Sequence, residues 1–297
     1  MVEKKYAKGV SICLTAYKEQ DYIEEALDSI KNQTWFKTHN NYEILLGIDG
    51  CYNTLKKVQE IRNKYHNLRV FMMNKNGGTY IATNTMMTIA KYDTLIRFDS
   101  DDVMLPNMVE KIMDNFGDND VVRFQMKNFG RRSGTYMACG QIAIKHDVFD
   151  KFGGYQPWTC SADSELETRL ITFAKIKKIN EVLFNRRIHT KNLTVAKETN
   201  FSSKVRRDNL LYVARLKRKL KTFEDAYVKR VTGEYTEIFE DSNIEEWDKE
   251  IPKAQQETVI NSIPKNEKNI KDIEALKQRF REIHVSRNSF GDNSIYS

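Results

Sequence analysis

A chain of 297 residues with 40% hydrophobic and 11% aromatic content can bury a sizeable core, which excludes a disordered protein and leaves room for one large domain or a domain with an appendage. No run approaches the roughly 18–20 uninterrupted apolar residues of a membrane span, and the opening Met1-Val2-Glu3-Lys4-Lys5-Tyr6 lacks the apolar centre of a signal peptide, so a cytoplasmic location is expected. The net charge of +7 is compatible with nucleic acid, an anionic membrane surface or a phosphate-bearing substrate; the four cysteines form no C-x-x-C pair and point to neither zinc nor a disulfide framework.

The first element is a buried strand over Gly9–Thr15, followed by a helix over Asp21–Gln33 in which Ile23, Ala26, Leu27 and Ile30 recur at helical spacing. The alternation continues with strand Tyr42–Asp49, helix Leu55–Tyr65, strand Leu68–Met73, helix Tyr80–Ala90 and strand Asp93–Asp99. Strands separated by helices of about ten residues imply right-handed crossovers, hence an α/β fold with a mainly parallel sheet flanked by helices. Further on, the pattern predicts a helix over Leu105–Phe116, strands over Val121–Lys127 and Tyr136–Lys145, and a break at Gly153-Gly154. A helix over Asp163–Ala174 and a last strand or hairpin over Ile176–His189 complete a domain expected to end near residue 200. Residues 201–297 are charged and helix-prone, with Pro252 and Pro264 as breakers and a frayed tail at Asn288–Ser297.

In such sheets ligands bind beyond the carboxyl ends of the strands, which directs attention to Thr15–Glu19, Asp49–Asn53 and Asp99–Asp102. Three carboxylates within four positions, Asp99, Asp101 and Asp102, repel one another unless a cation neutralises them. With only hard oxygen donors and no cysteine nearby, Mn²⁺ or Mg²⁺ bound to a diphosphate is the fitting cation. The competing reading is an acidic cap for the helix that follows.

Val10–Tyr17 with Glu19, Ile48-Asp49-Gly50, Lys75-Asn76-Gly77-Gly78, the Asp99–Asp102 run, Gly153-Gly154-Tyr155 and Asp163-Ser164-Glu165 occur in one order. Together, over residues 9–195, they resemble the inverting family 2 glycosyltransferases of GT-A fold. The resemblance implies a GT-A type, Rossmann-like mixed sheet and transfer of a sugar from a nucleotide diphosphate donor, most commonly a UDP-sugar. Thr15, Ala16 and Tyr17, with Glu19 and Ser100, would line the nucleotide pocket, and Asp49 would accept a hydrogen bond from the base unless it only caps a helix. Lys75 would bind phosphate, and Gly77 and Gly78 would offer backbone N–H groups to the diphosphate, unless they form a plain loop. Asp99 would contact the ribose, Asp101 would be the main metal ligand with His189 completing the site, and Asp102 would support it or touch the donor sugar. Asp163 would be the general base that takes the acceptor proton. It could instead cap its helix. Trp158 and Glu165 would meet donor or acceptor sugar, against the alternative that Trp158 is a core residue and His189 a surface one.

Some positions depart from the family pattern. Ala162 stands where an acidic residue often precedes the base, and no Gln-x-x-Arg-Trp follows Arg169, which argues for a single transfer rather than processive synthesis. The expected acceptor is a glycan or lipid-linked hydroxyl. Between Val205 and Val231 apolar residues fall at helical intervals (Tyr212, Leu216, Leu220, Phe223, Tyr227), so one face can pack on the domain while the basic cluster of Lys204–Lys221 faces water or an anionic membrane. No RNA-binding interleaving of aromatic and basic residues is present, so no nucleic-acid partner is expected. The rival readings are a sugar nucleotidyltransferase, against which the Thr15–Glu19 turn lacks a Gly-rich basic loop, and a non-catalytic scaffold.

Overall fold

The computed structural model describes residues 6–129 and 134–248. Four parallel strands form its centre: β1 (Ala7–Ala16), β2 (Tyr42–Ile48), β3 (Leu68–Met73) and β4 (Tyr92–Asp99). Three helices connect them, α1 (Ile23–Lys31), α2 (Tyr52–Ile61) and α3 (Thr79–Ile89). Alternation along each strand sends side chains to two cores. On β1, Val10, Ile12 and Leu14 join α1 and α2 on one face, while Cys13 meets α3 on the other. The helices follow the same logic: Ile23, Ala26, Leu27 and Ile30 make one fully buried stripe on α1.

The sheet continues through β5 (Val103–Met104), β6 (Val121–Phe129), β7 (Thr135–Met137), β8 (Ala143–Lys145) and β9 (Ile176–Arg187). Helices α4 (Met108–Phe116), α5 (His146–Phe152), α6 (Ala162–Phe173) and α7 (Lys204–Lys219) pack around it, and β10 (Tyr235–Ile238) closes the far side. Among the described residues the order is β10-β3-β2-β1-β4-β8-β6-β9-β5, with β7 beside β6. Antiparallel pairs β4–β8 and β6–β8 join the parallel half to the parallel pair β6–β9, giving the expected mixed, mainly parallel sheet flanked by helices.

Three expectations are corrected. The single strand read over Tyr136–Lys145 is two short strands, because the chain leaves the sheet at Ala138–Ile142 and turns Gln141 inward, where it is buried. A domain boundary at residue 200 does not describe the fold: α7 packs on α6, and β10 pairs antiparallel with β3 in the same sheet. Nor are the α7 cations uniformly outward, since Arg206 is buried and donates to the carbonyls of Thr199 and Leu193. The predicted apolar face does pack, with Leu216 and Leu220 buried and Phe223 edge-on to Phe152, although Tyr227 lies exposed. The breakers Pro252 and Pro264 and the tail Asn288–Ser297 lie outside the described residues.

Candidate active site

The parallel strands β1, β2 and β4 end side by side, which gathers Thr15, Asp49 and Asp99 at one edge of the sheet. The Ser100 hydroxyl donates to the Thr15 carbonyl at 2.8 Å, locking the start of the acidic run to the end of β1. Ala16 is buried and accepts the Asp49 N–H, while Tyr17 is 42% exposed and free to present its ring. Lys75 is exposed on the loop after β3.

The glycine loop turns its N–H groups onto Asp49. The Gly77 and Gly78 N–H groups donate to the two Asp49 carboxylate oxygens at 2.8 Å each, so they point at Asp49 rather than toward a diphosphate. A buried carboxylate at a strand end needs such donors, and this one folds the entry into α3. Gly78 carries φ +83°, which suits glycine, and Thr79 then brings its hydroxyl within 3.2 Å of the Thr15 hydroxyl.

Within the acidic run the three carboxylates differ. Asp99 pairs with the Arg97 guanidinium at 2.6 Å and accepts from the Gln141 amide at 2.8 Å. Asp102 is 2% exposed, accepting the Arg187 N–H at 2.8 Å and the same Gln141 amide at 2.6 Å. Of the two expected roles, support of the site is the one that its burial and these two bonds favour. Asp101 turns away from Arg97 and Gln141, to His189 Nε2 at 2.9 Å and the Asn192 amide at 2.7 Å, while the Asp99 side chain is the more exposed of the two. Glu19, on the turn after β1, brings its carboxylate into the same group: ligand atoms of Glu19, Asp101 and His189 lie within 4.8 Å of one another, as do those of Asp99, Asp101 and Asp102.

The electrostatics record the crowding. Burial, then the charges of Asp101 and Asp99 against those of His189 and Lys191, pushes the Glu19 carboxyl up to about 7. Burial also raises Asp99, with Arg97 opposing and Asp101 adding, and raises Asp102 well above the usual carboxylate range, with Asp101 and Asp99 adding. Burial works against the Arg97 charge, but Asp99, Tyr155, Tyr80 and Asp163 more than offset it and hold the guanidinium above its ordinary value.

Across from this cluster, Asp163 sits in the first turn of α6. The cap position belongs to Ser161, so Asp163 does not cap its helix. Its Oδ1 accepts the buried Tyr80 hydroxyl at 3.0 Å and the Ser164 N–H at 2.9 Å. A Cβ added at Gly140 would fall 2.7 Å from Arg97 Nη1 and 3.6 Å from Asp163 Oδ2, so the missing side chain lets the guanidinium lie beside that carboxylate. A small, largely enclosed pocket bordered by Arg123, Cys139, Tyr155 and Glu167 lies at the same carboxylate. One half of the site can thus hold a cation and an anionic ligand, and the other presents a half-exposed base.

Trp158 and Glu165 are not part of it. Each is 1% exposed: Trp158 packs edge-on against Tyr212, and Glu165 makes a 2.8 Å ion pair with Arg169. Helical spacing puts residues 165 and 169 on one buried face, where Arg169 also donates to the carbonyls of Phe152, Gly154 and Ala226. Conversely, Arg97, Gln141 and Tyr80 were not anticipated. The one signal for Arg97 was a lone arginine in the apolar strand Asp93–Asp99.

The sequence profile described as Glycosyl transferase family 2 matches residues 11–159, half of the chain. The chain belongs to this family. The family 2 glycosyltransferase is 23% identical over 210 residues to the O-antigen biosynthesis glycosyltransferase WbnJ of Escherichia coli, covering 62% of this chain and 81% of that one. It is 26% identical over 215 residues to the hyaluronan synthase of Pasteurella multocida, of which it spans only 21%. Among solved structures, S. aureus TarS residues 1–349 in complex with UDP-GlcNAc superimposes with a TM-score of 0.59 at 20% identity, over 71% of this chain and 65% of that one. The architecture of the enzyme is accordingly GT-A. Glycosyltransferase membership removes the nucleotidyltransferase and scaffold alternatives. Among the described residues no helix is long and apolar enough to cross a membrane.

Proposed function

We propose that this glycosyltransferase moves one sugar, with inversion, from a UDP-sugar to a hydroxyl of a glycan or lipid-linked acceptor, with Mn²⁺ or Mg²⁺ in the donor site. The observation that carries the reading is the divided site: the carboxylate–imidazole pair of Asp101 and His189 on one side, and Asp163, with Oδ1 held by the Tyr80 hydroxyl, on the other. The capture of UDP-GlcNAc by TarS, which shares the fold, supports the choice of nucleotide. The polymer-forming names among the relatives support a glycan acceptor.

The donor set fits the cation. Hard carboxylate oxygens and one imidazole within 4.8 Å suit Mn²⁺ or Mg²⁺, and Asp101 and His189 would hold it. When bound, the ion stabilises the charge that grows on the departing diphosphate. Thr15 and Tyr17, beside Ser100, would line the nucleotide pocket, and Lys75 would approach phosphate from the β3 loop. Arg97 balances Asp99 inside the site, so a polyanionic donor need not face three free carboxylates. Asp163 takes the acceptor proton through Oδ2 while the Tyr80 hydroxyl, held protonated by burial and by Asp163, fixes Oδ1.

A panel of nucleotide sugars with Mn²⁺ or Mg²⁺, read by release of nucleoside diphosphate, tests the reading. Asp163→Asn is expected to lower transfer by about 10²–10⁴-fold while donor affinity stays within about twofold; full retention of transfer would falsify the base assignment. Exposed Lys204 and Arg207 near Phe201, which is 68% exposed, and exposed Lys217–Lys219 at the other end of α7 also support contact of residues 204–221 with an anionic membrane that carries the acceptor. Binding to anionic liposomes should then fall with salt and vanish when these cations are neutralised; equal binding by both versions would exclude the contact.

A further inference from the structure

Two overlapping sets of side chains could hold the cation, and Asp101 belongs to both. Their oxygens are not equally available. Asp99 is matched by the Arg97 guanidinium at 2.6 Å and the Gln141 amide at 2.8 Å. Asp102 has one oxygen on a backbone N–H, that of Arg187 at 2.8 Å, and the other on the Gln141 amide at 2.6 Å. Arg97, Gln141 and Asp102 are all buried, so an ion taking these oxygens would strip donors that have no water to turn to. Arg97 also supplies the positive charge that Asp99 needs.

Glu19 is the opposite case. Its Oε2 is buried without a hydrogen-bond partner among the described residues, a costly state for a carboxylate oxygen. Its own N–H is anchored to the Thr54 hydroxyl at 3.1 Å, which fixes the turn that carries it. Lys191, whose charge reaches Glu19, directs Nζ to the Lys18 carbonyl at 3.1 Å and to Asp21 at 3.5 Å instead. With a divalent ion bound, the Glu19 and Asp101 carboxylates would match its charge and the His189 imidazole would add a third donor, which supplies the one or two carboxylates usual for such ions.

We infer that Glu19 is a direct ligand of the cation, so that Glu19, Asp101 and His189 form the protein's ligand set, while Asp99 and Asp102 stand outside it as braces held by Arg97 and Gln141. The inference rests on the metal-dependent reading above. It reassigns Glu19 from the nucleotide to the metal, and it divides the acidic run by function.

The test uses the full chain and Mn²⁺ in the presence of UDP, with free Mn²⁺ read by electron paramagnetic resonance and folding checked by circular dichroism. Glu19→Gln is expected to weaken Mn²⁺ binding at least about tenfold. Loss of charge alone could do this, so Glu19→Cys is the deciding variant. A thiolate ligand favours a softer ion, and Cd²⁺ should displace Mn²⁺ from Glu19→Cys at a concentration about tenfold or more below that needed for the unmodified chain. Asp99→Cys should leave that ratio unchanged. An unchanged ratio in Glu19→Cys, or a shift in Asp99→Cys, overturns the inference and leaves the metal-dependent reading standing. No Mn²⁺ binding by the unmodified chain with UDP removes that reading as well, a distinct result.

Discussion

Arg97 and Tyr80 show how much of the site is built from residues that carry no motif. Arg97 stands between Asp99 and Asp163, and Tyr80 reaches Asp163 from the first turn of α3, whose preceding loop is pinned by Asp49. Tyr80→Phe should therefore lower kcat about tenfold through misalignment of the base while leaving the donor KM nearly unchanged; steady-state kinetics with both parameters altered equally would exclude the positioning role. The positions of Asp99, Asp101, Asp163 and His189 were legible, because carboxylates at a strand end or in a first helical turn, and a histidine after a basic strand, stand out in one dimension. The directions of Trp158 and Glu165 were not, because a motif names a residue type and packing decides which way it points. Glu165→Ala leaves Arg169 charged and buried, and should destabilise the fold by about 3–5 kcal/mol in urea titration; a loss below about 1 kcal/mol would mean the neighbouring carbonyls suffice.

Among the elements, β1–β4 and α1–α3 were legible within a few residues, since the repeat of buried strand and amphipathic helix is carried by local pattern. Where tertiary contacts dictate the backbone, pattern was silent. The excursion between β7 and β8 delivers Cys139, Gly140 and Gln141 to the site although its flanks read as one strand. Gly153 was read as a simple break, yet it has φ +75° and an added Cβ would fall 1.7 Å from the Val228 carbonyl oxygen. Gly153→Ala should cost at least about 1–3 kcal/mol from the left-handed backbone alone, and more as the 226–230 segment is displaced. A denaturation midpoint equal to that of the unmodified chain would contradict this packing.

For the whole molecule, the two halves of the site meet across one sheet: β1, β2 and β4 supply the donor side, and the β7–β8 loop with α6 supplies the base. A ligand that binds only this assembled state stabilises it by mass action. UDP with Mn²⁺ at about a hundred times its dissociation constant should add about 2.7 kcal/mol and raise Tm by several degrees. Removing the metal with EDTA should erase the gain; a Tm shift unaffected by EDTA would argue that the nucleotide binds without metal. The fold class was legible at this scale because alternating elements leave few topologies, but the return of the chain to the sheet after residue 200 was not, since β10 is four residues in a charged stretch.

That short strand governs how the protein behaves in a crowd. β10 covers the backbone donors and acceptors of Val70–Met73, and Arg69–Glu237 fastens the side chains across the pair. A chain trimmed where its composition changes, near residue 200, would bare an apolar strand whose unpaired backbone is a template for any other extended segment. Such a fragment would keep every group of the divided site and still be expected to come out of solution as aggregate. For this enzyme the safe place to cut lies beyond Ile238.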